Sequence, residues 1–294
     1  MTGWHIGVIG GSGLYEPGAL EDAQVIPVAS AFGTPSSAVH MGRIGAVKLS
    51  FIARHGEGHR LSPSRVNYRA NIDVLKRCGV TDVLAISAIG SLREELAPGS
   101  FVAADQFIDR TLGRERTFFD GGVVAHVSLA DPVCPRLGGL AAQAAEAAGA
   151  SVHRGGTYVA IEGPQFSTRA ESVLYRQWGG DVIGMTAMPE ARLAREAELP
   201  YALLGMVTDY DSWRDAECGV EAAEILAVMR ANAGTARNVL VELARALPEE
   251  RAASPIDRAL DAALVTPRAA WRRESAARLD AVLGRLLRQP SAGG

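Results

Sequence analysis

Three segments of this sequence carry the hydrogen-bond donors that proteins use to bind oxyanions. Gly10-Gly11-Ser12-Gly13 follows a short apolar run and offers backbone N–H groups beside the Ser12 hydroxyl. Arg54 and His55 end a second apolar run, where Arg can hold an oxyanion through two N–H groups and His can donate beside it. Ser87-Ala88-Ile89-Gly90-Ser91 closes a third run with small residues that let a ligand approach the backbone. Each segment alone is equally typical of a tight structural turn, so the combination is what favours an anion site.

A fourth donor and a pair of carboxylates come later in the chain. Thr186 adds a hydroxyl after Gly184 and Met185, and Asp209 and Asp211 follow another apolar run. Residues two apart in an extended chain share a face, so we expect both carboxylates to point into one site, unless they form a structural turn or a helix N-cap. Anion donors beside paired carboxylates indicate a reaction in which a bound phosphate attacks and an acid assists the departure of a nitrogen leaving group.

Other kinds of chemistry fit the sequence less well. The glycine-rich turn lacks the dinucleotide-binding fingerprint, because Glu16 stands where the third Gly belongs, and this disfavours a nicotinamide dehydrogenase. Leu14 stands where the nucleophile motif of an esterase needs Gly. His55 and His59 have the spacing of a metal pair, but the glycines between them disfavour the helix on which zinc pairs at this spacing usually lie. We therefore expect no metal.

The segments that carry these residues alternate with stretches of helical periodicity. Runs that are apolar on both faces predict strands covered by helices on each side. The alternation predicts an α/β fold with a mixed, largely parallel central sheet flanked by helices. The predicted strands are His5–Ile9, Val47–Ala53, Val83–Ser87, Phe101–Phe107, Thr157–Ile161, Val182–Met185 and Tyr201–Thr208, and the predicted helices are Asn67–Cys78, Arg136–Ala148, Arg169–Trp178, Glu190–Ala197 and Val220–Ala246. The candidate donors then lie where strands end, which is where α/β proteins gather their ligand sites.

Length and composition are ordinary for a globular protein. The 294 residues are 48% hydrophobic and 21% charged, which excludes wholesale disorder. The net charge of −3 disfavours a general nucleic-acid or membrane-surface binder, and no apolar run reaches membrane-spanning length. Three widely spaced cysteines and an N-terminus without basic residues indicate the cytoplasm. We expect one main domain of residues 1–247 and a C-terminal helical extension of residues 248–294 that packs on it.

Six separate motifs resemble those of one family. They are Val8-Ile9-Gly-Gly-Ser-Gly-Leu14, Ala53-Arg-His-Gly-x-Gly-His59, Gly90-Ser-Leu-Arg-Glu-Glu95, Asp105-Gln-Phe-Ile-Asp-Arg110, Ile161-Glu-Gly-Pro-Gln-Phe-Ser167 and Thr208-Asp-Tyr-Asp211. They follow the family's order from about residue 5 to about residue 246. On these motifs the chain resembles the trimeric purine nucleoside phosphorylase family, and within it the branch that acts on S-methyl-5′-thioadenosine.

The resemblance implies a role for each candidate site residue. The implied phosphate-binding set is Ser12, Arg54, His55, Ser87, Ala88 (through its backbone N–H) and Thr186. The implied nucleoside-binding set is Phe166, Ile183, Gly184, Met185, Asp209 and Asp211, together with His126 from a neighbouring subunit. The resemblance also implies a homotrimer that needs no cofactor, since phosphate is a co-substrate.

The implied reaction is phosphorolysis of S-methyl-5′-thioadenosine to adenine and 5-methylthioribose 1-phosphate, a step of methionine and purine salvage. Asp209 and Asp211 form the catalytic pair, and Asp209 protonates the leaving purine if burial and the neighbouring carboxylate raise its pKa. The alternatives are a 6-oxopurine nucleoside phosphorylase acting on inosine, guanosine or methylthioinosine, and a non-catalytic nucleoside sensor. Gly184 stands where many relatives carry Asn, which leaves the base preference open.

Overall fold

A sheet of eleven strands runs through the part of the chain that the computed structural model describes, namely residues 3–11, 20–214 and 222–288. The strands are β1 (His5–Gly10), β2 (Glu21–Ile26), β3 (Val39–Ile44), β4 (Val47–Ala53), β5 (Asp82–Ser91), β6 (Phe101–Ala104), β7 (Gln106–Asp109), β8 (Val152–Arg154), β9 (Thr157–Ala160), β10 (Val182–Gly184) and β11 (Tyr201–Tyr210). Among these strands, six pairings are parallel and four are antiparallel. The predicted mixed, largely parallel sheet is confirmed.

Helices follow five of the eleven strands, and the residues just before two of these helices supply side-chain caps. The helices are α1 (Tyr68–Arg77), α2 (Pro135–Ala147), α3 (Arg169–Gln177), α4 (Ala187–Glu196), α5 (Ala222–Ala246), α6 (Arg273–Arg278) and α7 (Gly284–Leu287). The side chain of Asn67 accepts the N–H of Ala70 at the start of α1, and Thr168 forms a capping box with Glu171 at the start of α3. Such caps satisfy backbone donors that the first helical turn leaves unpaired.

The central strand, β5, changes partners along one of its sides. On that side β5 pairs in parallel with β1 from Asp82 to Ala85 and antiparallel with β10 at Gly90 and Ser91. On its other side β5 pairs with β11 from Val83 to Ser91. Within the described residues, no strand pairs with positions 86–89 on the first side, so the backbone there faces a gap in the sheet. Such a change of neighbour is where open α/β sheets admit ligands.

Two apolar layers cover the faces of the sheet. One layer includes Ile72 of α1 and Leu193 of α4, and the other includes Leu137 of α2 and Val239 of α5. Both layers consist of fully or nearly fully buried side chains, so burial on two faces explains why the central strands read as continuous apolar runs.

Three strands were not predicted from the sequence, and one predicted strand is divided. β2 is exposed along most of its length, β3 alternates poorly, and β8 has only three residues, so none of them carries an apolar signal. The predicted strand Phe101–Phe107 is interrupted at Asp105, where the chain leaves β11 and joins β9 as β7.

The C-terminal stretch after α5 winds over the face that holds α1. It contains α6, α7 and two 3₁₀ turns rather than one long helix, because Pro255 and Pro267 interrupt it. Leu260, Leu279 and Leu283 are buried in the same apolar layer as α1. None of the helices in the described part of the chain is long and apolar enough to span a membrane.

Candidate active site

The gap beside β5 brings together residues from distant parts of the chain. Since β10 runs antiparallel to β5, the residues that follow β10 return along the gap, and the Thr186 hydroxyl lies 3.2 Å from the Ser87 hydroxyl. Ser87 also donates to the carbonyl of Ala88 at 3.1 Å. Thr186 directly precedes α4, whose first turn is kinked because the backbone of Met188 is not helical. The structure therefore brings three of the predicted anion-binding residues together.

Arg54 lies beneath this hydroxyl pair, but its bidentate face is already occupied. The guanidinium donates to both carboxylate oxygens of Glu190 at 2.9 and 3.0 Å, and to the carbonyls of Ile9 and Ile86. The Arg54 side chain is 2% exposed. Four of its five N–H groups are used by these contacts, and Glu190 takes the bidentate fork, so the described contacts leave one N–H for an oxyanion. The role of Arg54 in binding an anion stays a prediction.

His55 is held in one orientation by its neighbours. Its Nδ1 lies 2.8 Å from the carbonyl of Leu61, which can only accept, so Nδ1 carries the hydrogen. The ring stacks on His59 with 4.2 Å between centroids. Burial, and then the adjacent Arg54 charge, lower the pKa of His55 to about 4, so the imidazole is neutral at pH 7.

The first carboxylate of the predicted pair is placed by an irregularity in β11. The register against β5 shifts between Val207 and Asp209, which sets Asp209 opposite Gly90. A Cβ on Gly90 would lie 3.0 Å from Asp209 Oδ2, so the missing side chain is what admits the carboxylate. The Thr208 hydroxyl donates to Asp209 Oδ1 at 2.6 Å and orients it.

The second carboxylate, Asp211, is buried beside Gly90 as well. Its Oδ2 makes no close hydrogen bond among the described residues. Burial raises the pKa of Asp211, while the Ser172 hydroxyl and the Ser212 N–H oppose the rise. A buried acceptor without a donor is costly unless a ligand supplies one, which is what a binding site for an N–H-bearing base would do.

The residues predicted to contact a nucleoside line the same region. Ile183 is 3% exposed and lies opposite Gly90, whereas Phe166 is 40% exposed. Gly163 has a φ of +66°, and a Cβ there would lie 2.5 Å from the sulfur of Met185. The Phe166 segment and the Met185 segment therefore pack directly against each other.

Comparison with known proteins identifies the family. The model of the Phosphorylase superfamily matches residues 5–245. The chain belongs to the Phosphorylase superfamily. This phosphorylase is 55% identical over 285 residues to S-methyl-5′-thioadenosine phosphorylase of Cereibacter sphaeroides, covering 96% of this chain and 98% of the relative. It is 52% identical over 290 residues to the enzyme of the same name from Bradyrhizobium diazoefficiens, covering 98% of this chain and all of the relative.

Solved structures of similar phosphorylases have the same fold. A methylthioadenosine phosphorylase from an Antarctic soil metagenomic library matches with a TM-score of 0.91 and 45% identity, covering 96% of this chain and 100% of that chain. A mutant of adenosine/methylthioadenosine phosphorylase from Schistosoma mansoni, in complex with methylthioadenosine, matches with a TM-score of 0.78 and 38% identity over 82% of this chain and 91% of that chain.

Sequence reasoning missed a buried arginine that connects the segments predicted to bind the nucleoside in this phosphorylase. Arg114 donates to the carbonyls of Met185 and Met188 at 2.6 and 2.7 Å, and to the carbonyl of Glu162 at 2.7 Å. Burial raises the pKa of Glu162. Hydrogen bonds from the Ser64 hydroxyl and from nearby backbone N–H groups, together with the Arg114 charge, outweigh this and lower the pKa to about 2. Of this pair, Glu162 lies in one of the six motifs, whereas Arg114 lies in none of them, so no local sequence pattern predicts its role.

His126 and Ser12 are the two predicted residues that the described structure does not bring into this cluster. His126 is exposed, and its N–H donates to the carbonyl of Ala263 at 2.8 Å, on the bridge that joins Ala125 to Leu264. Ser12 lies outside the described residues. The contribution of either residue to the site stays a prediction.

Proposed function

We propose that this phosphorylase cleaves S-methyl-5′-thioadenosine with inorganic phosphate to give adenine and 5-methylthioribose 1-phosphate. The relatives that share about half of its residues over nearly its whole length carry the name of this activity. The reaction transfers a pentosyl group to phosphate and serves the salvage of purine and methionine.

The observation that carries the proposal is the carboxylate pair around Gly90. Asp211 Oδ2 is buried without a close donor among the described residues. A Cβ built on Gly90 would lie 3.0 Å from Asp209 Oδ2 and 3.6 Å from Asp211 Cβ, so both side chains border Gly90. An adenine ring offers an amino group that donates to a carboxylate, whereas a 6-oxo purine presents a carbonyl that repels it. A site built to pair one such group discriminates strongly against the other.

Phosphate is proposed to bind in the gap beside positions 86–89 of β5. The hydroxyls of Ser87 and Thr186 and the backbone N–H of Ala88 supply donors there, and Ser12 completes the set in this proposal. Arg54 contributes its positive charge to phosphate binding, together with the one N–H group that is not used in its described hydrogen bonds. His55, neutral with Nδ1 as its donor to Leu61, presents the Nε2 lone pair to a phosphate hydroxyl.

The bound dianion attacks the anomeric carbon as the bond to the purine breaks. Positive charge develops on the sugar and is stabilised by the phosphate beside it, while the electron pair of the broken bond goes to the purine. Asp209 gives its proton to the imidazole nitrogen of the leaving base and is reprotonated after release. The proposed reaction uses neither a metal nor an organic cofactor.

The proposal includes a homotrimer in which His126 of each subunit reaches the 5′-substituent pocket of its neighbour. The exposure of His126 on a single chain supports this, because a side chain that served its own site would be turned inwards. A heterologous contact repeated about a three-fold axis closes into a ring.

Parallel assays with S-methyl-5′-thioadenosine, adenosine and inosine test the proposal. Free base is measured with and without phosphate, and phosphate-dependent release of adenine is expected. We expect kcat/KM for inosine to be at least about 100-fold below that for S-methyl-5′-thioadenosine. Equal or better use of inosine would assign the chain to the 6-oxopurine phosphorylases, and release of no base from any of the three would indicate a nucleoside sensor.

A further inference from the structure

Tyr158 of β9 occupies the space that a side chain at position 184 would need. A Cβ built on Gly184 would lie 2.2 Å from the Tyr158 hydroxyl oxygen, 2.8 Å from Cζ and 3.2 Å from Cε2. β9 and β10 are paired in parallel with Gly184 opposite Ala160, so the two backbones are fixed relative to each other. Any residue larger than glycine at 184 therefore requires Tyr158 to move.

Movement of Tyr158 is opposed by its packing. The side chain is 0% exposed, and Phe107 lies edge-on to its ring with 5.8 Å between centroids. Burial raises the pKa of Tyr158, so the hydroxyl is neutral at pH 7 and acts as an uncharged hydrogen-bonding group.

The Tyr158 hydroxyl also holds the residue that follows the nucleoside segment. The backbone N–H of Thr186 donates to it at 3.3 Å, and the Thr186 hydroxyl lies 3.2 Å from that of Ser87. Thr186 is thus fixed at two points, by Tyr158 through its backbone and by Ser87 through its side chain.

We propose that Tyr158 is a positioning residue for the phosphate site and the reason why position 184 is glycine. Tyr158 acts through Thr186 and does not touch the substrate. Because it excludes a side chain at 184, Asp209 and Asp211 make the polar contacts to the base without help from that position. The part that concerns phosphate depends on the proposed function, whereas the steric part does not.

The kinetic test is Tyr158→Phe, which keeps the ring and removes the hydroxyl. The Thr186 N–H then loses its partner, and a hydrogen bond of this kind corresponds to a factor of about 3 to 10 in binding. We expect KM for phosphate to rise at least threefold and KM for the nucleoside to change by less than twofold, measured with whichever nucleoside the wild type cleaves fastest. A smaller rise for phosphate, or an equal rise for both substrates, would overturn the positioning role.

The steric test needs no activity, so it is independent of the proposed function. Gly184→Ala is made in the wild type and in Tyr158→Leu, which removes the hydroxyl oxygen and the two ring atoms named above. We expect Gly184→Ala to lower the melting temperature of the wild type. In the Tyr158→Leu variant the same substitution should leave the melting temperature unchanged or raise it. Equal losses in both backgrounds would overturn the steric pairing.

Gly7→Ala is the matched control for this cycle. Gly7 is also a glycine of a buried strand, and a Cβ there would lie 2.9 Å from a methyl group of Val80. Its effect on the melting temperature should be the same in both backgrounds, because Gly7 and Tyr158 share no neighbour in these contacts. The two experiments can fail separately. If no base is released in the phosphorolysis assay but Gly184→Ala still affects the two backgrounds differently, the proposed function is refuted and the steric pairing of Gly184 with Tyr158 is not.

Discussion

Glu190→Gln tests whether the buried ion pair between Arg54 and Glu190 stabilises the fold. The Glu190 carboxylate accepts two hydrogen bonds from Arg54 and one from the Tyr201 hydroxyl. The side chains of Arg54 and Glu190 are 2% and 1% exposed. Glutamine keeps the shape of the Glu190 side chain but removes its negative charge. One accepting oxygen becomes an NH₂ donor, which then faces an N–H donor of Arg54. The variant therefore leaves a buried cation without its counter-charge.

The magnitude follows from this burial. Removal of one partner from a buried pair costs about 3–5 kcal/mol, because the remaining charge stays out of water. The carbonyls of Ile9 and Ile86 still accept from Arg54, so we place the loss near the lower end, at about 3 kcal/mol. For a chain of this length each kcal/mol lowers the melting temperature by about 2 °C, which predicts a fall of about 6 °C.

The assay is thermal unfolding at pH 7 and fixed protein concentration, without phosphate, with Glu198→Gln as the matched control. Glu198 is equally buried and also binds an arginine, but its partner Arg285 is 26% exposed. Water can solvate Arg285 once the carboxylate is gone, so we expect a loss of only about 1 kcal/mol in the control. Equal losses for the two variants, or a loss below about 1 kcal/mol for Glu190→Gln, would refute the argument from burial.

Three further variants test the chemistry, the assembly and the pH dependence. Asp209→Asn should lower kcat for adenine release by about 10²–10⁴-fold, and full activity would exclude Asp209 as the proton donor. His126→Ala should leave the mass by light scattering unchanged and raise KM for S-methyl-5′-thioadenosine about tenfold, with less effect on adenosine; a fully active monomer would contradict a shared site. Burial raises the pKa of Glu196 from 4.5 to about 7, so the folded chain binds this proton more tightly and loses stability as the pH rises between those values. Glu196→Gln should therefore be more stable than the wild type at pH 8 by up to about 3 kcal/mol and not at pH 5; an equal difference at both pH values would exclude this titration.

The parts of the site that lie within one local motif could be predicted from the sequence. Asp209 and Asp211 do converge on Gly90, because an extended segment places alternate residues on one face and the apolar run before them marks a buried strand. The hydroxyls of Ser87, within β5, and of Thr186, just after β10, also lie 3.2 Å apart, although the two residues come from separate motifs.

The parts that depend on distant partners could not be predicted. The carboxylate that occupies the Arg54 fork is 136 residues away in the sequence, and no spacing rule connects the two. Tyr158 reads as one more apolar strand residue, because the space that it takes from position 184 is set by the register of β9 and β10. The exposed strand β2 has no apolar periodicity to reveal it and is defined by its pairing with β3.

The position of the C-terminal stretch has a consequence for how the protein is made. Leu260, Leu279 and Leu283 complete the apolar layer over α1, yet they are synthesised well after α1 and the sheet. At a translation rate of about 5–20 residues per second, residues 248–294 take about 2–10 s to emerge, and α1 keeps an apolar face open during that time. Every residue of the candidate site precedes position 212, so the nascent chain holds all of its catalytic groups before that face is covered. A nascent chain stalled near residue 250 should therefore recruit chaperones that bind exposed apolar surface, and the released full-length chain should not.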